Sequence, residues 1–166
     1  ASDVYKRQGN TRDIRETLSR ISSEFPSSDI VDPAEYPMSE FVDEYLAIRE
    51  GRNVSRQMAQ RILSKDVFFA AMMVRMGKAD GMVAGARNLT STVIKAGKLI
   101  IGLKEQFQEP SGFFIMDIPG HPPMIFADCA VNPNPNPELL AQIAVASAQS
   151  AMGLLSEDPR VAMLSF

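Results

Sequence analysis

The chain has 166 residues, with 17 Lys and Arg against 20 Asp and Glu, so its formal net charge is −3 with the single histidine neutral. An apolar content of 45% and a charged content of 22% belong to a folded chain of one or two domains and disfavour a disordered chain, a collagen-like repeat and a coiled coil. One cysteine, Cys129, and one histidine, His121, exclude an intrachain disulfide and a Cys/His zinc site, while the mild acidity argues against nucleic acid, whose phosphates are held by clustered Lys and Arg.

Residues 1–8 carry no apolar period and read as a tail. From Asn10, with Asp13 three residues on as in a capping box, Ile14, Leu18 and Ile21 fall at helical spacing, and that helix ends before Pro26. Asp29 to Val31 is a short strand candidate, stopped by Asp32-Pro33 because the residue before proline is pushed toward extended geometry. Ser39 is expected to cap a helix lined by Phe41, Val42, Tyr45, Leu46 and Ile48, with Gly51 where a left-handed residue ends it. Further helices start near Ser55 (Met58, Ile62) and near Asp66 (Phe69, Met72, Met73, Met76), the latter ending at Gly77. The longest uninterrupted apolar run, Val67 to Val74, has eight residues, against the roughly 20 needed to cross a bilayer; no membrane partner and a cytoplasmic location are therefore expected.

Met82-Val83-Ala84, between two glycines, is short and wholly apolar, which predicts a strand buried on both faces in a parallel sheet. A polar loop follows, then a helix over Val93 to Ile101 with Ser91 or an adjacent residue as its N-cap. Lys104 to Pro110 is a polar break, and two extended runs, Phe113 to Ile118 and Met124 to Ala130, flank Pro119-Gly120-His121-Pro122-Pro123 as a hairpin would. Asn136 is placed to cap, Pro137 to take the first helical position and Glu138 to meet the positive helix end. Leu139 to Leu155 then forms a long Ala- and Ser-rich helix, and Arg160 to Phe166 one more strand. The domain organisation expected is a tail over 1–8, part of a first α/β domain over 9–105 and the start of a second over 106–166.

Ligands in α/β sheets collect beyond the carboxyl ends of strands, beside helix N-termini that attract anions. Gly85 to Lys95 fits that description, with Arg87 and Lys95 for charge and Thr90, Ser91 and Thr92 for hydrogen bonds. By residue type alone the favoured reading is an ordinary capped loop with solvated cations, since no phosphate-loop or dinucleotide fingerprint is present. Arg49 sits in the last turn of a helix, where cations ordinarily complement the dipole. Ser165 lies at a strand end. Asp128 is either a strand-end hydrogen-bond acceptor or a site residue, Cys129 reads as a small buried hydrophobe, and His121 as a loop residue. The methionines fall on apolar faces as core filler.

The stretches DVFFAAMMVRMGKADGMVAGA, TSTVIKAGKLIIG, IFADCAVNPNPNPELLAQIAVASAQSA and PRVAMLSF, with IVDP and LAIREG upstream, resemble successive blocks of the phosphate acetyltransferase and phosphate butyryltransferase family in that family's order. The resemblance implies reversible transfer of an acetyl or other short acyl group between coenzyme A and inorganic phosphate, giving an acyl phosphate. It further implies a parallel sheet flanked by helices in two domains of the isocitrate and isopropylmalate dehydrogenase type, with substrate in the cleft between them, acyl-CoA and phosphate as substrates, no bound cofactor and a homodimeric whole. On it, Arg49 in LAIREG matches an anion-binding arginine, and Lys95 stands where the family has an arginine, keeping the charge while losing the bidentate fork. Arg87, Thr90, Ser91 and Ser165 are the remaining substrate-binding candidates. The family's general base, an aspartate in an Asn-Asp-Leu-Ser-Arg-Gly-like segment, has no counterpart in these 166 residues, so no catalytic residue is assigned and the chain alone is expected to be inactive. The alternatives are a preference for butyryl groups, and a non-catalytic acyltransferase-like domain, as appended to some malic enzymes, that senses acyl-CoA or aids assembly.

Overall fold

A computed structural model describes residues 7–21, 30–85, 87–155 and 158–164. It divides into two compact units, residues 1–102 and 103–166. The fold is mixed α/β, helix-rich, with two small sheets.

In the first unit, β1 (Arg7–Gln8) pairs in parallel with β2 (Ile30–Val31). Between them α1 (Thr11–Arg20) starts where expected: the Asn10 side chain accepts hydrogen bonds from the backbone N–H groups of Arg12 and Asp13, satisfying donors that have no helical partner. Three helices follow, α2 (Ser39–Ile48), α3 (Arg56–Leu63) and α4 (Asp66–Arg75). Ser55 caps α3 through Met58 N–H at 3.2 Å. Ser39 does not cap α2: it is the first helical residue, Met38 precedes it at φ −74° and ψ −4°, and no side-chain cap bond forms. An N-cap hydroxyl needs an extended backbone to turn back on the helix, and Met38 already has helical angles. Past α2 and α4 the chain turns through Gly51 at φ +74° and Gly77 at φ +65°, a region that glycine enters without a Cβ clash.

The core of this unit is one cluster. Phe41, Val42 and Tyr45 of α2 meet Ala59 and Leu63 of α3 and Val67, Phe68, Phe69, Ala71, Met72 and Met73 of α4. Tyr36, Phe41 and Phe69 form a triangle with ring centroids 5.0 to 5.3 Å apart, in tilted and edge-to-face arrangements that suit the ring quadrupoles. Ala96 and Ile100 complete the cluster. They come from α5 (Thr90–Ala96) and the π-turn Gly97–Ile101 that extends it, closed by Gly102 N–H to the Gly97 carbonyl at 2.9 Å. The helix expected over Val93 to Ile101 therefore begins earlier, at Thr90, and loses α geometry after Ala96. Its N-cap is Leu89 with no side-chain bond, in place of Ser91 or an adjacent residue.

Two strands read from the sequence do not form among the described residues. Met82-Val83-Ala84 is irregular, with Val83 fully exposed; residues 160–164 are also irregular, with Leu164 90% exposed. Apolar character supplies no ladder: a strand exists only where a neighbour takes up its N–H and C=O groups, and neither segment has one. The last two residues of the Arg160 to Phe166 candidate, and Asp29 of the earlier one, lie outside the described residues.

In the second unit, β3 (Phe113–Met116) and β4 (Met124–Ala127) pair antiparallel, with Phe114 opposite Phe126 and Met116 opposite Met124. The Pro-Gly-His-Pro-Pro link is the hairpin connection, turned by His121 N–H to the Ile118 carbonyl at 3.0 Å. Helix α6 (Pro137–Leu155) packs on β4, capped by Asn136, whose side chain accepts from Leu139 N–H at 2.8 Å. Its length and composition would suffice to cross a membrane, which the unbroken apolar runs did not reveal because Ser147, Ser150, Gln142 and Gln149 interrupt them without lowering the average enough.

Candidate functional site

The cationic candidates belong to the first unit. Arg49 is the C-cap of α2, its own N–H donating to the Tyr45 and Leu46 carbonyls at 3.2 Å. Its side chain is half-buried, and its Nε is out of contact with water and has no hydrogen-bond partner. That is costly for a guanidinium, which ordinarily directs every N–H to an acceptor. Other cations of the unit are taken up by α2: Arg56 pairs with Asp43, Arg75 with Glu44 at 2.7 Å, and Lys78 with Glu40 at 3.2 Å. The hydrogen bond to Glu40, with the negative potential of Tyr36 and of Glu40 itself, raises the Lys78 pKa above its ordinary value.

Thr90 and Ser91 open α5 and Lys95 lies in its last turn, all three exposed. Arg87 is exposed in the preceding loop. No hydrogen bond or ion pair among the described residues joins Arg49 to Arg87, Thr90, Ser91 or Lys95. Ser165 lies outside the described residues.

Arg75 ties α2 to the turn that follows α5, a link that sequence reasoning missed. Its Nε donates to Glu44 of α2, the helix that ends at Arg49, and its Nη1 donates to the Ile100 carbonyl at 3.0 Å in the turn that continues the Lys95 helix. A basic residue in the last turn of a helix was visible in the sequence; its two partners, 31 and 25 residues away, were not.

In the second unit Asp128 resolves as an acceptor. Its Oδ1 takes the N–H groups of Gly112, Ala130 and Val131 at 3.1 to 3.3 Å, and its Oδ2 takes the Asn132 N–H at 2.8 Å and side-chain amide at 2.6 Å. Partial burial pushes its carboxyl up; the Ala130 N–H, the Asn132 amide, and the Val131 and Asn132 N–H groups outweigh it and hold the pKa below its ordinary value. Gly112 completes the knot because a Cβ there would lie 3.1 Å from Cys129 Sγ and 3.2 Å from Val131 Cγ2. Cys129 is half-buried and unbonded to another cysteine, packed as a small hydrophobe beside that glycine; His121 is an exposed loop residue. Among the described residues no cluster of His, Cys, Asp and Glu is arranged to hold a metal ion.

Residues 8–166 match the family described as phosphate acetyl/butaryl transferase. The chain belongs to that family. It is 35% identical over 164 residues to a phosphate acetyltransferase of Thermoanaerobacterium thermosaccharolyticum and 36% identical over 166 residues to one of Treponema pallidum, covering 95% of itself and 49% of each relative. Its fold matches the EutD phosphotransacetylase from Staphylococcus aureus with a TM-score of 0.85 at 34% identity, over 96% of this chain and 48% of that one. A phosphotransacetylase from Streptococcus pyogenes matches with the same TM-score at 31% identity. The chain thus spans about half the length of the relatives it matches.

Proposed function

We propose that the longer protein to which this chain corresponds is a phosphate acyltransferase that moves an acetyl or other short acyl group reversibly between coenzyme A and inorganic phosphate. The observation that carries this reading is the family match over residues 8–166. The chemistry has stated needs: a phosphate oxygen attacks the thioester carbonyl, the C–O bond forms, and the C–S bond breaks to release the coenzyme A thiolate, which takes up a proton. In reverse a base must remove that proton, because the thiolate is the nucleophile. Phosphate must be held against the carbonyl by cations, with donors for the developing oxyanion.

In this reading Arg49, Arg87, Thr90, Ser91, Lys95 and Ser165 bind substrate, the cations by charge-assisted hydrogen bonds to phosphate. The base lies outside these 166 residues. Residues 9–105 form part of a first α/β domain and 106–166 the start of a second, in a parallel-sheet fold of the isocitrate and isopropylmalate dehydrogenase type. The whole protein is a cytoplasmic homodimer that uses acyl-CoA and phosphate as substrates and needs no metal.

The test is acetyl phosphate formation from acetyl-CoA and phosphate. Residues 1–166 alone should give none, and activity near that of a full-length relative would overturn the assignment of the base. In a chain completed with the uncovered part of the S. aureus phosphotransacetylase, Arg49→Ala should weaken phosphate or coenzyme A binding by about 1.5 to 3 kcal/mol, the range for hydrogen bonds to charged groups. Unchanged binding would remove Arg49 from the site.

A further inference from the structure

The helix that carries Lys95 is placed by two kinds of contact. Ala96 and Ile100 sink into the core cluster, and apolar contacts hold a helix down without fixing how far it slides or turns, because they are non-directional. Hydrogen bonds are directional, and one reaches this helix from the end of α4: Arg75 Nη1 donates to the Ile100 carbonyl at 3.0 Å, inside the π-turn. The same guanidinium is held at a second point, where its Nε donates to Glu44 at 2.7 Å. Glu44 lies on α2, the helix whose C-cap is Arg49. Arg56, by contrast, directs its side-chain bonds to α2 alone, at Asp43 and Ser39. Because the guanidinium is a rigid plane with its N–H groups at fixed spacing, Arg75 sets a distance between the α2 side and the turn after α5.

We propose that Arg75 is a positioning residue for Lys95, holding the backbone of the Lys95 helix in register with α2 so that the ammonium meets phosphate. The proposal rests on the acyl-transfer reading, in which Lys95 binds substrate; Arg75 acts through Lys95 and not on the substrate. The Arg75 and Glu44 side chains are 31% and 32% exposed, and ion pairs that reach water add little to folding stability. Loss of the bridge should therefore be felt in substrate binding more than in stability, the reverse of what an ordinary core contact gives.

The experiment measures acetyl phosphate formation, KM for phosphate, kcat and the urea midpoint in the chain completed with the uncovered part of the S. aureus phosphotransacetylase. Arg75→Gln should raise the phosphate KM about tenfold, below the roughly hundredfold that a 1 Å misplacement can cost. Its kcat should stay within about twofold, since ground-state and transition-state binding weaken together, and its urea midpoint should hardly move. Arg75→Lys keeps the charge beside Glu44, but one ammonium cannot replace Nε and Nη1 at once; it should show the same rise in KM, and it carries the test if the Gln variant unfolds. Lys95→Ala should raise KM at least as far, and adding Arg75→Gln to it should raise KM no further, because a residue that acts through another is not additive with it. The proposal is overturned if Arg75→Lys keeps the parent KM, if the Arg75 and Lys95 effects multiply, if kcat falls while KM holds, or if both Arg75 variants lose activity only in step with their urea midpoints. A completed parent chain that makes no acetyl phosphate overturns the acyl-transfer reading and this proposal with it. An active parent whose Arg75 variants behave like it leaves that reading standing and removes only the role of Arg75.

Discussion

Asp128 and Arg49 are opposite cases of a charged group leaving water. Asp128 gathers four backbone N–H groups and an amide, so its ionised form is favoured and its pKa is depressed. A depressed carboxyl contributes stability that is present above its unfolded value and lost as the pH falls through the folded one. Hydrogen-exchange protection at the Ala130, Val131 and Asn132 amides should accordingly drop below about pH 4. Asp128→Asn should remove the same protection at neutral pH, at a cost of about 1.5 to 3 kcal/mol, the range for hydrogen bonds to a charged group. Retained protection in the variant would show that the loop is held by something else. Arg49, by contrast, buries Nε with nothing to receive its proton. Neither outcome was legible from residue types: Asp128 read equally well as a site residue, because its donors are set by how the chain folds back to Gly112, 16 residues away.

Elements were legible where their signals are local. Asn10, Ser55 and Asn136 each cap the helix they precede, since an N-cap bond spans only two or three residues. Ser39 and Ser91 carry suitable side chains and do not cap, because the cap also needs backbone angles that neighbouring contacts decide. Met82 to Ala84 and residues 160–164 failed as strands for a related reason: hydrophobic content is local, whereas a ladder partner is not. Removing the α6 cap with Asn136→Ala should cost about 1 kcal/mol, whereas Phe69→Ala, which empties the centre of the aromatic triangle, should cost about 3 to 5 kcal/mol. Denaturant midpoints followed by circular dichroism test the ranking; equal losses would contradict the packing described for Phe69.

At the scale of the whole molecule, protection should be uneven. Amides of α2 and α4, under an enclosed core, should exchange slowest, and those of β3, β4 and residues 160–164 fastest, since local opening follows the density of buried apolar contacts. Uniform exchange across both units would refute the contrast. The sequence by itself determined the helical segments, the hairpin, the caps at Asn10 and Asn136, and the family, because apolar period, turn residues and ordered blocks are all written along the chain. Only the tertiary structure decided that Arg75 joins α2 to the turn after α5, that Asp128 is an acceptor and that Arg49 Nε is left without a partner. Each of these depends on residues distant in sequence becoming neighbours, and a proximity of that kind is a property of the packed core that no local pattern encodes.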